Sequence, residues 1–166
     1  MPSFERHRYA IIPLMHVVLL RVALALYSVG LLHSVLTVLH RKYSLFRVSL
    51  IAIVAGFLCH ATSIVLRPVE LQYMPLTQQY EAFSYFAALG LLGFLIAYAK
   101  YRIESLSLFV FPLIFIVTFI ANFSYEPSQS VPASLQSNWI YIHTPSIFLG
   151  YAALFISFAS AIMYLM

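Results

Sequence analysis

The sequence predicts an all-α fold, a polytopic transmembrane helix bundle of about five spans. Three observations predict it. Of the 166 residues, 63% are hydrophobic and only 8% are charged, whereas a soluble domain carries roughly 25% charged residues. The apolar residues gather into five runs of spanning length, a transmembrane helix needing ~20 of them. The runs do not alternate apolar with polar, as the ~10-residue strands of a membrane barrel would. The chain therefore reads as one membrane domain without an aqueous one.

The elements follow in order. The first apolar stretch runs from Tyr9 to Leu39 and holds Pro13 and Arg21. Span one is expected at residues 16–39, with the preceding part at the interface and Arg21 snorkelling to the boundary. Span two is expected at 45–66 and contains the single cysteine, Cys59, which has no partner for an internal disulfide. Span three is expected at 79–99 and span four at 106–123. The link from Ser124 to Asn138 holds two prolines and reads as a loop. Span five is expected at 139–166. It stops at Ala161-Ile162-Met163-Tyr164-Leu165-Met166 without a polar tail, so the parent protein is expected to continue.

The net charge of +4 invites a nucleic-acid reading. Its distribution argues against one, because most of the basic residues sit at the ends of apolar runs or in the links between them. Arg41, Lys42 and Arg47 follow span one, and Lys100 and Arg102 follow span three. A five-span chain puts both links on one side, and that side is expected to be cytoplasmic. The N-terminus is then outside and the C-terminus inside, and the partner implied by composition is membrane lipid.

Ionisable side chains inside a bilayer are costly, which makes each a functional candidate. Two of the six histidines, His60 and His143, fall toward the outer face. A neutral imidazole ligates iron, and an iron porphyrin needs axial ligands in an apolar slot. For His60, hydrogen bonding to a neighbouring helix weighs evenly against ligation. His143 follows the only tryptophan, Trp139, by four residues, and an indole favours the membrane boundary. Thr144 is expected to cap a helix with Pro145 in its first turn. Gly150 lies below on that helix, where ordinary close packing ranks ahead of a gap for a flat ligand. His16 and His33 are weaker candidates. Arg67 and Glu81 flank the link between spans two and three and are expected to form an exposed pair, contributing about 0–1 kcal/mol. Alternatively, Arg67 receives a ligand carboxylate such as a porphyrin propionate. There is no aspartate, no Cys-x-x-Cys-His and no phosphate loop.

Two blocks carry a family resemblance. Leu135-Gln136-Ser137-Asn138-Trp139-Ile140-Tyr141-Ile142-His143, followed by Phe148-Leu149-Gly150-Tyr151-Ala152-Ala153, resembles cytochrome c assembly proteins of the CcsA/ResC type. So does Pro75-Leu76-Thr77-Gln78-Gln79-Tyr80-Glu81. The resemblance covers spans two to five and corresponds to the N-terminal portion of that family. It implies handling of non-covalent, b-type haem and its presentation on the outer face of a membrane. There haem is joined to apocytochrome c, with another assembly subunit as partner. His143 matches the first of two external haem-ligating histidines, and His60 sits where an embedded ligand is expected. Trp139 and Arg67 complete the expected cofactor site. Thr144-Pro145 departs from the family pattern. The Trp-rich external motif and the second external histidine do not occur in these 166 residues. An enzymatic role is at most a part in a haem-attachment synthase complex. The implied location is the bacterial inner membrane, with a plastid membrane ranked second. A small transporter subunit and a b-type haem electron-transfer subunit are the rival readings.

Overall fold

The computed structural model describes residues 3–40, 43–71, 78–125 and 139–165. Helix α1 spans Ser3–His40, α2 Tyr43–Leu71, α3 Gln79–Tyr101, α4 Ser107–Phe123 and α5 Ile140–Leu165, with a short 3-10 turn at Glu104–Leu106 before α4. All five α-helices contain a segment long and apolar enough to cross a membrane. The all-α, five-span expectation is met. Arg41, Lys42, Pro75-Leu76-Thr77 and most of the Ser124–Asn138 link lie outside the described residues.

Helix bounds depart from the sequence reading in two places that matter. Helix α2 continues past residue 66 to Leu71, with Pro68 inside it. A proline removes one hydrogen bond to the preceding turn without reversing the chain. Helix α5 begins at Ile140, so Pro145 lies inside it rather than in its first turn after a Thr144 cap. The backbone N–H of His143 already bonds the Trp139 carbonyl at 2.9 Å, placing the imidazole within the first helical turn. At the opposite end, α3 stops at Arg102, whose φ of 57° ends the helix in the left-handed conformation. Its N–H closes on the Tyr98 carbonyl at 2.9 Å, and its guanidinium covers the Tyr98 ring.

Helices α1 to α4 close a ring, with α1 packed on α2 and α4, and α3 packed on α4 and more lightly on α2, while α5 packs mainly on α3. Two glycines let α1 and α2 approach. A Cβ at Gly30 would stand 2.5 Å from Cγ1 of Ile53, and one at Gly56 would stand 2.7 Å from Cε1 of Tyr27. Hydroxyls tie the helices across these contacts, as polar side chains do in lipid. Ser49 donates to the Gly30 carbonyl at 2.6 Å and Ser63 to the His16 carbonyl at 2.7 Å. Ser107 donates to the Glu104 carbonyl, which leaves Ser34 as donor in the Ser34–Ser107 bond of 2.7 Å. The central core gathers Tyr27, Ile53, Leu91, Phe94, Phe111 and Ile114. Phe94 and Phe111 meet edge to face at 4.8 Å. Helix α5 lies at the rim, and only 11% of its spanning window is buried.

Candidate functional site

Five successive antiparallel helices bring the start of α1, the end of α2, the start of α3, the end of α4 and the start of α5 to one end of the bundle. Two features gather there. One is sealed inside the helices, and the other faces outward.

The sealed feature centres on Arg67 and Glu81. Both are 2% exposed, and Arg67 Nε lies 3.5 Å from Glu81 Oε1. The pair is therefore buried, which corrects the exposed pair read from sequence. Continuation of α2 beyond residue 66 carries the guanidinium between rings, 5.7 Å from the centroid of Tyr80 and 5.5 Å from that of Tyr125. Arg67 Nη1 also approaches Nε2 of His16 at 3.5 Å. Glu81 Oε2 accepts the Gln78 backbone N–H at 3.0 Å, satisfying a donor at the start of α3. Tyr80 and Tyr125 meet edge to face at 5.3 Å, and His16 completes the aromatic wall at 5.6 Å from Tyr125. The adjoining crevice between α2 and α3 measures about 10 Å³ and is lined by Ser63, Arg67, Tyr80, Glu81 and Ser84. That is room for one water at most, so this crevice does not admit a propionate.

His60 lies deeper and is fully buried. Its Nε2 bonds Ser84 Oγ of α3 at 2.8 Å, and its Nδ1 bonds the Tyr27 hydroxyl of α1 at 3.2 Å. A neutral imidazole has one donor and one acceptor, so both are in use. This is the interhelical hydrogen bonding that the sequence weighed evenly against ligation. Iron ligation by His60 would require one of these partners to let go. His33 and His40 bond carbonyls of their own helix, those of Val29 and Leu36.

The outward feature is the start of α5. Trp139 is 65% exposed. The His143 ring stacks on it, with centroids 5.7 Å apart and planes 21° from parallel, the contact expected of residues four apart on a helix. His143 is exposed, as are Ile147, Gly150 and Leu154 on the same face. A Cβ built on Gly150 meets nothing within 4 Å, so the close-packing reading of this glycine gives way to open space. The described residues thus leave an accessible imidazole nitrogen donor above an open, apolar helix face. His60 and Arg67 do not extend this face. Among the described residues, no hydrogen bond or ring contact joins His60 to His143. The sequence reading passed over Tyr27 and Tyr125. For Tyr27, a tyrosine inside an apolar span was the available signal, since its buried hydroxyl needs a partner; Tyr125 follows α4 in the link and carried no such signal.

The family profile described as Cytochrome C assembly protein matches residues 76–166. The match contains Trp139 and His143 and begins after His60 and Arg67. Curated relatives named cytochrome c biogenesis protein CcsA are similar over part of the chain. The protein of Heterosigma akashiwo is 33% identical over 98 residues, covering 56% of this chain and 30% of the relative. That of Chlorella vulgaris is 31% identical over 111 residues, covering 64% and 35%. That of Guizotia abyssinica is 30% identical over 106 residues, covering 61% and 33%. The matched part thus spans about a third of the length of these relatives. No solved structure gives a significant match. With the family profile covering more than half of its length, and with five apolar helices of spanning size, this chain belongs to the cytochrome c assembly protein family.

Proposed function

We propose that the protein takes part in cytochrome c maturation by holding haem at the outer membrane face, with His143 as an axial ligand. The observation that carries this reading is an exposed imidazole stacked on the only tryptophan, above an open apolar helix face, inside the segment that matches the family. When bound, haem supplies an iron that accepts imidazole nitrogen and vinyl groups to which cysteine thiols add. The chain's own contribution is placement. His143 fixes the lateral position, Trp139 sets its depth at the boundary, and Ile147 and Leu154 offer an apolar wall. Any rate effect would come from orientation. Apocytochrome c and a further assembly subunit are the proposed protein partners, within lipid of the bacterial inner membrane. His60 would join as a second, embedded ligand only by releasing Ser84 or Tyr27. Arg67 would meet a propionate only if its buried cluster opened.

The optical spectrum of protein purified from haem-replete cells tests the reading. The full chain is expected to show a Soret band, and His143→Ala is expected to lose most of it while remaining folded. A band of wild-type size in His143→Ala would overturn the ligand assignment. The same measurement on His60→Ala assigns that residue, since a band lost from folded protein adds it as a ligand and a retained band leaves it as a helix junction.

Orientation belongs to the same proposal, because haem delivery to an extracytoplasmic cytochrome requires the α5 start to face outward. With Cys59 replaced by serine, Ile142→Cys is expected to react with a membrane-impermeant maleimide in intact cells. Tyr101→Cys, at the opposite end, is expected to react only after permeabilisation. The reverse pattern would place the candidate site inside.

A further inference from the structure

Of the helix contacts that close the ring of α1 to α4, the one between α1 and α2 is the most extensive and the one between α2 and α3 the lightest. His60 of α2 sends one hydrogen bond across each. Its Nδ1 meets the Tyr27 hydroxyl of α1 at 3.2 Å, and its Nε2 meets Ser84 Oγ of α3 at 2.8 Å. The serine bond is the shorter, but the two partners differ in what holds them and in what else they can bond.

Tyr27 is fixed in place. It is 1% exposed within the central core, and a Cβ at Gly56 would stand 2.7 Å from its ring. Its hydroxyl sits at the far end of a rigid ring and cannot turn back to a carbonyl of its own helix. Ser84 has such an alternative. A serine within a helix can donate to the carbonyl four residues earlier, as Ser146, Ser157 and Ser160 of α5 do at 2.7, 2.9 and 2.8 Å. For Ser84 that carbonyl belongs to Tyr80. Ser84 also borders the crevice of about 10 Å³ between α2 and α3. The bond to Nε2 is therefore the one that α3 can give up without leaving a buried hydroxyl unpaired.

We propose that Tyr27 is the positioning residue of His60, that Ser84 is its exchangeable partner, and that Nε2, on the α3 side, is the nitrogen this imidazole offers to a metal. The inference rests on the haem-holding reading and deepens it. A ligating imidazole keeps its other ring N–H on an acceptor, which fixes the ring; here Nδ1–H donates to the Tyr27 oxygen. An iron porphyrin is the matching ligand class, because its axial ligand is an imidazole in an apolar slot. The α2–α3 seam, below the Arg67–Glu81 pair, is the side from which Nε2 is reached.

Ser84→Ala and Tyr27→Phe each delete one hydrogen bond to His60 and keep the surrounding packing, so a purely structural role predicts similar effects. The haem-free full chain in lipid nanodiscs is treated with diethyl pyrocarbonate, which acylates unprotonated imidazole, and His60 is read by peptide mass spectrometry. With helical content unchanged, His60 is expected to be nearly unreactive in the wild type, severalfold faster in Ser84→Ala, and close to wild type in Tyr27→Phe. Equal rates in the two variants, a faster rate in Tyr27→Phe, or no gain in Ser84→Ala would overturn the assignment. Ser84→Ala decides alone should Tyr27→Phe fail to assemble. With haem added to nanodiscs carrying His143→Ala, the Soret absorbance removed by His60→Ala belongs to His60. Ser84→Ala is expected to raise that absorbance and Tyr27→Phe to lower it; a similar loss in both would overturn the positioning role. No His60-dependent band in any variant, with the acylation pattern as expected, would end the haem reading at this residue and leave the hydrogen-bond assignment standing.

Discussion

Arg67→Met is expected to destabilise the bundle by about 3–5 kcal/mol, the cost of leaving one member of a buried ion pair without its partner. The Glu81 carboxylate would remain 2% exposed, still accepting the Gln78 N–H but with its facing charge gone. Glu81→Gln alone should be milder, because a neutral amide keeps the shape and leaves Arg67 its two tyrosine faces. The double variant is expected to be less destabilised than the sum of the singles, with a coupling of about 0.5–3 kcal/mol. It should not return to wild type, since methionine does not replace the guanidinium over Tyr80 and Tyr125. Denaturation in mixed detergent micelles, followed by helical circular dichroism, measures all four corners of this cycle. A cost for Arg67→Met below about 1 kcal/mol would mean that the pair behaves as a surface one.

Two glycines should respond to alanine with opposite signs. At Gly56 the new methyl meets the Tyr27 ring at 2.7 and 2.8 Å, and that ring is 1% exposed and hydrogen-bonded to His60. It cannot retreat without breaking the α1–α2 contact. Gly56→Ala is therefore expected to cost about 1–3 kcal/mol as overpacking, partly offset by the roughly 0.5–1 kcal/mol that alanine gains over glycine within a helix. At Gly150 the methyl meets nothing within 4 Å. Gly150→Ala should raise stability of the haem-free protein by up to that helix term, and should lower haem content if the open face is where the macrocycle lies. Unfolding midpoints and Soret absorbance of the two variants check both statements. A stabilised Gly56→Ala would contradict the tight approach of α1 and α2.

The Trp139–His143 contact was legible in sequence, because the two residues coincide along the chain. Trp139 and His143 are four residues apart, so helical spacing alone sets one ring against the other, and the boundary preference of indole indicates depth. The environments of Arg67 and Glu81 were not legible. Their proximity followed from the short link between them, but burial depended on α2 continuing through Pro68, and on Tyr125 arriving from the far end of α4. His60 illustrates the same divide. Its place inside an apolar span could be read from the hydropathy pattern. Its two hydrogen-bond partners lie 33 and 24 residues away, and no local pattern announces them. The start of α5 was misread at Thr144-Pro145 because capping statistics favour a helix start there, whereas the Trp139 carbonyl had already begun the helix.

By itself, the sequence determined that this chain forms five apolar helices of membrane-spanning length, with an imidazole beside an indole. Those properties follow from composition and spacing, because the bilayer requires each span to satisfy its own backbone. Only the tertiary structure decided which polar groups are sealed and which are open. Arg67, Glu81 and His60 turned inward because rings and hydroxyls from other helices complete their environments. His143 stayed outward because α5 packs at the rim of the bundle and leaves that face uncovered. Such choices arise from contacts between residues remote in sequence, which spacing along a single helix cannot specify.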